Sequence, residues 1–181
     1  MRRKNQNSEF IKLCLADALL DLLHRKDYVK VTVNEICARA GVGRSTFYRH
    51  FGNKTGKKNL LIYRLNWSYQ KFMEAHPYDG KPSGWNHLMI AFLSENRDLM
   101  KLLSDNNLLF FLVDWLASLV DASCEEGSAN YEEYVRCFIA FQYFGAVYPW
   151  IKGGFKESPE EIEHIYMEML KDHMTKVLAD Y

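Results

Sequence analysis

Four polar side chains fall close together at Arg44, Ser45, Thr46 and Arg49, with Phe47 and Phe51 interleaved four residues apart. On a helix the two phenylalanines share one face and the polar set is turned away from it. A guanidinium there presents a planar fork of donors that matches the two acceptors of a guanine edge or the oxygens of a phosphate. No other stretch gathers chemistry so tightly. His24, His50, His76, His87, His164 and His173 are dispersed, no carboxylates are paired, and no serine or cysteine lies in a nucleophile motif, so an enzyme is not expected. Cys14, Cys37, Cys124 and Cys137 form no close pair, which argues against a metal and for reduced, mostly buried thiols. Gly52-Asn53-Lys54-Thr55-Gly56-Lys57 imitates a phosphate-binding P-loop. Its glycines are one residue too close, Lys58 stands where a hydroxyl should hold magnesium, and no strand precedes it, so nucleotide hydrolysis is set aside.

The elements that must position the polar set are legible on either side of it. Thr32-Val33-Asn34-Glu35 has the spacing of a capping box, in which the Thr32 hydroxyl and the Glu35 carboxylate each satisfy a free backbone N–H. The helix it opens is short, because Gly41 suits a left-handed C-cap. Gly41-Val42-Gly43 makes the turn, and a new helix starts at Arg44. Ahead of them Ile11, Leu15, Ala18, Leu19, Leu22 and Leu23 recur on one helical face, predicting a first helix over 9–25 capped by Ser8. Two short helices joined by a glycine-bearing turn and backed by a longer one form a helix-turn-helix over residues 32–51, a unit that sets its second helix in the major groove of DNA.

Beyond it the spacing predicts helices over 55–75, 84–95, 97–103, 107–125 and 130–151, with a Pro- and Gly-rich loop at 76–84 and a kink at Pro149. Ser158-Pro159-Glu160-Glu161 reads as cap, proline at the first helical position and capping-box glutamate, opening a last helix over 159–179. About nine helices and no strands give an all-α fold. Its expected parts are a three-helix DNA-binding domain at 1–56 and a helical bundle domain at 57–181.

Composition agrees. The chain of 181 residues is 48% hydrophobic and 25% charged, as in ordinary globular proteins, and carries no net charge. The charge is unevenly placed: residues 1–58 hold 13 Lys or Arg against 5 Asp or Glu, and residues 59–181 hold 10 against 18. A basic first third suits a polyanion, while the acidic remainder is repelled by one. The longest apolar run, 108–113, is far short of a membrane span, and the basic start runs into polar residues instead of an apolar signal segment, so a cytoplasmic protein without membrane contact is expected.

The stretch from Thr32 through Gly41-Val42-Gly43-Arg44-Ser45-Thr46-Phe47-Tyr48-Arg49-His50-Phe51 to Lys54 resembles the N-terminal signature of the TetR family of bacterial regulators, and the likeness extends back over residues 11–54. It implies that Thr32 grips a phosphate at a helix N-terminus, that Arg44, Ser45, Thr46 and Arg49 meet base edges or nearby phosphates, and that Tyr48, His50 and Lys54 clamp the backbone. Gly43 departs from the usual Ser or Thr cap. Asn53 to Asn59 departs further, since the leucines that normally follow the lysine are delayed to Leu60 and Leu61, leaving the start of the fourth helix open to displacement.

The resemblance also implies that the C-terminal part holds a small-molecule effector, here of unknown identity, among aromatics such as Trp85, Phe92, Phe111, Trp115, Phe141 and Phe144, although aromatics at helical spacing commonly form core. The last two helices are expected to form a homodimer through Ile162, Ile165, Tyr166, Met169, Leu170, Met174 and Val177. The implied function is a repressor that binds a palindromic double-stranded operator as a homodimer and responds to its effector. The alternative is a coactivator or adaptor of the same fold that acts mainly through a protein partner.

Overall fold

The computed structural model of the chain describes residues 2–52, 54–78, 82–120 and 129–179, with side chains described for 7–52, 54–78, 84–120 and 130–171. Asn53, Asp79, Gly80, Lys81 and Cys124, and the side chains of His173, Met174 and Val177, lie outside the described set. Among the described residues the fold is all-helical: α1 (Arg2–Leu23), a 3-10 turn (Tyr28–Lys30), α2 (Val33–Ala40), α3 (Arg44–Phe51), α4 (Gly56–Ala75), α5 (Pro82–Glu95), α6 (Arg97–Asp105), α7 (Phe111–Leu119), α8 (Ala129–Lys152) and α9 (Pro159–Ala179). The chain divides into two compact units, Met1–Lys71 and Phe72–Tyr181.

In the first unit α1 packs on α2 and α2 on α3. Leu15, Leu19, Ile36, Phe47, Leu60, Leu61 and Leu65 form its fully enclosed centre. Leu60 and Leu61 arrive late in sequence yet are buried, because α4 starts at Gly56 and reaches them after one turn. Asn59 holds that start: its side-chain amide donates to the Phe51 carbonyl (3.0 Å) and the Thr55 hydroxyl (3.1 Å), and its backbone N–H donates to the Thr55 carbonyl. Ser8 is not a cap. Helix α1 begins at Arg2, since residues 2–9 contain no proline or glycine that would stop a helix.

In the second unit α7, α6 and α9 pack against α8, and α5 packs against α9. Met89, Phe92, Met100, Leu103, Trp115, Tyr143 and Val147 fill the centre. The seventh helix is shorter than its periodicity suggests. Asn107 takes a left-handed conformation (φ 57°), and the Leu108 N–H returns to the Leu103 carbonyl at 2.7 Å, closing α6 and delaying α7 to Phe111. Helix α8 runs to Lys152 with Pro149 in its last turn. Its connection to α9 is pinned by Trp150, whose indole N–H donates to the Glu157 carbonyl (2.9 Å) while the ring meets Phe155 edge-on. The Ser158–Glu161 capping box then opens α9, with bonds of 2.7 and 3.2 Å. Of the cysteines, Cys37 is buried and Cys14 half-buried, but Cys137 lies exposed on α8, against the expectation of buried thiols.

The start of α4, at Gly56 and within one residue of its expected place, is under a steric constraint. A Cβ at Gly56 would stand 2.7 Å from Cε1 of Phe47, a ring with no exposed surface. Gly56→Ala should therefore destabilise the protein by about 1–3 kcal/mol through overpacking, outweighing any gain in helix propensity. Urea unfolding checks this; equal or greater stability would show that the Phe47 ring is free to yield.

Candidate nucleic-acid interface

The N-terminus of α2 is built by three side chains, those of Thr32, Glu35 and Lys26. Thr32 caps it in extended conformation: its hydroxyl accepts from the Glu35 N–H (3.3 Å) and donates to Glu35 Oε2 (2.8 Å), and its own N–H donates to the same oxygen (2.9 Å). Lys26 Nζ donates to the other carboxylate oxygen at 2.7 Å, which offsets a negative charge that would otherwise oppose a phosphate. Because the Thr32 hydroxyl is engaged with Glu35, the groups left for an anion are the N–H donors of Val33 and Asn34, which have no partner among the described residues.

The turn follows from Gly41, at φ 65°, whose left-handed backbone sends the Val42 N–H back to the Cys37 carbonyl at 2.9 Å. Helix α3 then starts at Arg44 from Gly43, which gives no side-chain cap. Phe47 and Phe51 point inward. Arg44, Ser45 and Arg49 are exposed, and Thr46 is half-buried on the same short helix. Tyr48 is exposed and braced edge-on by Phe47, with ring centres 5.5 Å apart. Arg44 reaches toward Asn34 of α2 at 3.5 Å. His50 is half-buried; burial, then the charges of Arg49 and Lys12, hold its pKa below the usual histidine value, so at neutral pH it offers a neutral ring donor instead of a cation. Lys54 is exposed just beyond α3, and Thr32 is exposed at α2.

Several basic side chains of this unit are engaged within it. Lys26, Lys30 and Arg39 are paired with Glu35, Asp27 and Asp21, and Arg64 with Asp17. Lys57 is turned to backbone carbonyls. Arg49 and Lys54 make no hydrogen bond or ion pair with any described residue, so their charges remain available to a ligand. Counting charges along the chain missed this division, because the partners lie up to 47 residues away.

The six aromatics expected at an effector site differ in burial and in the neighbours they meet. Phe92 and Trp115 are fully buried against each other (5.4 Å), and Phe92 also meets Phe72. Trp85 contacts Tyr143, Phe144 is buried beside Phe110 and Tyr148, Phe111 is half-buried, and Phe141 is exposed. Two cavities of this unit, of about 80 and 300 Å³, are lined by other residues, among them Phe110, Tyr148 and Lys152 in the smaller and Arg97, Lys101 and Phe155 in the larger.

The Lys26 and Thr32 hydrogen bonds hold the Glu35 carboxyl down to about 2. A group whose folded pKa is depressed stabilises fully above its ordinary value of 4.5 and loses that contribution as pH falls toward about 2. Glu35→Gln should therefore flatten the fall of thermal midpoint across that acid window. An acid limb unchanged by the substitution would exclude the box as its source.

Comparison with known proteins places these observations. The family model described as bacterial regulatory proteins, tetR family, matches residues 15–56, and one described as a transcriptional regulator C-terminal region matches residues 85–172. No curated protein sequence matches the chain. Among solved structures, the TetR transcriptional regulator from Streptococcus agalactiae 2603V is similar in fold, with TM-score 0.60 and 20% identity over 93% of this chain and 97% of that one. The TetR family repressor AlkX from Dietzia sp. strain DQ12-45-1b, implicated in biodegradation of n-alkanes, gives TM-score 0.45 and 21% identity over 92% and 97%. With its helix-turn-helix and its C-terminal region both matched, the chain belongs to the TetR family of bacterial transcriptional regulators.

Proposed function

We propose that the protein is a repressor that binds a palindromic operator as a homodimer and is released or modulated by a small-molecule effector. The observation that carries the reading is the outward face of α3, where Arg49 stands exposed, with Lys54 exposed just beyond the helix and neither charge paired among the described residues. Arg44, Ser45, Thr46 and Arg49 read base edges or adjoining phosphates; Thr32, Tyr48, His50 and Lys54 fix register on the backbone. One such head covers a half-site, so two must be held about 34 Å apart.

A second copy of the chain has a surface suited to it. Tyr131, Tyr134, Phe138 and Phe141 lie along one side of α8 at spacings of three, four and three, all more than half exposed, and Ile165 and Met169 are exposed on α9. Large apolar side chains in so continuous a row favour a subunit interface. The effector has less to define it; aromatic walls and cations around the two cavities of the second unit are its most concrete candidate surroundings. An effector that distinguishes the DNA-bound from the free arrangement shifts their populations.

Binding to a duplex selected from a randomised pool should weaken steeply with salt. Arg49→Ala should cost about 1–3 kcal/mol and relax sequence preference, whereas Lys54→Ala should weaken all duplexes alike and lower the salt slope by about one. A palindrome-indifferent protein with a flat salt response would instead favour the adaptor. For the interface, Phe138→Glu should shift the protein from dimer to monomer in sedimentation at micromolar concentration; a persistent dimer would move the interface off this side of α8.

A further inference from the structure

Lys57 of α4 lies where the P-loop imitation put its lysine, and the structure gives it another task. Its ammonium donates to the Val31 carbonyl at 2.8 Å and the Tyr28 carbonyl at 3.0 Å, and stands 4.5 Å from the centre of the Tyr28 ring. Tyr28–Lys30 is the 3-10 turn and Val31 its C-cap; the Tyr28 carbonyl already accepts the Val31 N–H at 3.2 Å and takes Lys57 as a second donor, while the Val31 carbonyl lies at the helical end, where the turn's own backbone supplies none. Val31 is buried, and the next residue is Thr32, the cap of α2. The ammonium is half-withdrawn from water and close enough to Lys26 for repulsion, both of which lower its pKa. Two carbonyls and an aromatic face compensate.

We propose that Lys57 is a positioning residue for DNA binding: it fixes the corner at 28–31, and through Val31 the direction of the free N–H groups at the start of α2, without touching DNA itself. The inference rests on the DNA-binding reading above. Lys26 acts on the same corner through Glu35, which accepts the Thr32 N–H, so two lysines support it, one on a carboxylate and one on backbone oxygens. With two of its three protons on carbonyls, Lys57 is poorly placed to neutralise a phosphate as well. An aliphatic side chain at 57 would fill the space between α4 and Tyr28 but leave both carbonyls without that donor.

The test measures the full-length protein by fluorescence anisotropy on a duplex that the wild type has selected from a randomised pool, across a salt series. Lys57→Met should weaken binding on the order of tenfold at every salt concentration, with the salt slope of the wild type, because no phosphate contact is lost. Lys57→Arg should recover most of the loss. Lys54→Ala, in parallel, should lower the slope. Three results overturn the proposal: a slope reduced by Lys57→Met as by Lys54→Ala, which makes Lys57 a phosphate ligand; wild-type affinity in a less heat-stable Lys57→Met protein, which makes its role purely structural; or no rescue by arginine. If the methionine variant does not fold, Lys57→Gln, which keeps an amide donor, should show a partial loss at unchanged slope, and full affinity would overturn the proposal. A wild type that selects no duplex removes the DNA reading itself, an outcome distinct from a variant that binds as wild type does.

Discussion

A helix of eight residues cannot persist by its own hydrogen bonds, so the outward face of α3 is only as well placed as its inward face is held. Phe47 and Phe51 do the holding. Phe47 has no exposed surface and is bounded by Phe51, by Tyr48 and by the bare backbone of Gly56. A ring gripped on several sides fixes the azimuth of the helix as well as its depth, and azimuth decides whether Arg44, Ser45 and Arg49 face outward together. The glycine at 56 is therefore part of the reading head although it carries no chemistry: it lets α4 begin against the ring that orients α3.

Electrostatics then divides the work among like charges. Exposed ion pairs such as Arg39–Asp21 and Lys30–Asp27 add little to stability, but they settle which cations are committed. Asp21 lies on α1 and Arg39 on α2, so that pair joins two helices while keeping a guanidinium out of competition for phosphate. Lys26 cancels the carboxylate that the capping box needs, and this reconciles two opposed demands on one helix end: an acidic residue to cap it and no net negative charge beside an approaching polyanion. Arg49 and Lys54 are left without such partners, and the basic character of the first third of the sequence narrows to a few well-placed groups.

What the sequence made legible was local. The Thr32 box, the left-handed Gly41, the start of α3 and the Ser158 cap all depend on residues three to nine apart, and each has its expected geometry. Ser8 misled because a good capping residue is also tolerated, half-buried, inside a longer helix. The seventh helix misled because its periodicity continues across Asn107, where one left-handed residue, invisible to periodicity, ends α6 and resets the chain. Lys57 was beyond reach for a different reason. Its partners are backbone oxygens 26 and 29 residues earlier, and a carbonyl leaves no mark in a sequence.

The second unit shows the same limit in composition. Its aromatics looked alike along the chain, yet they serve opposite ends: Trp115, Tyr143 and Trp150 are enclosed, while Tyr134, Phe138 and Phe141 on the same or neighbouring helices are open. Helix α8 is apolar on nearly every side because α6, α7 and α9 take one part of its circumference and leave a row of rings on another. An all-round apolar helix is buried, if not by its own chain then by something else. That argument favours a second copy over an effector for Phe141, since an exposed ring in a row with Tyr134 and Phe138 extends a flat surface, whereas a small molecule needs a concave one. The rings beside the smaller cavity, Phe110 and Tyr148, meet that requirement, although spacing alone gave no reason to prefer them to Phe92 or Trp115.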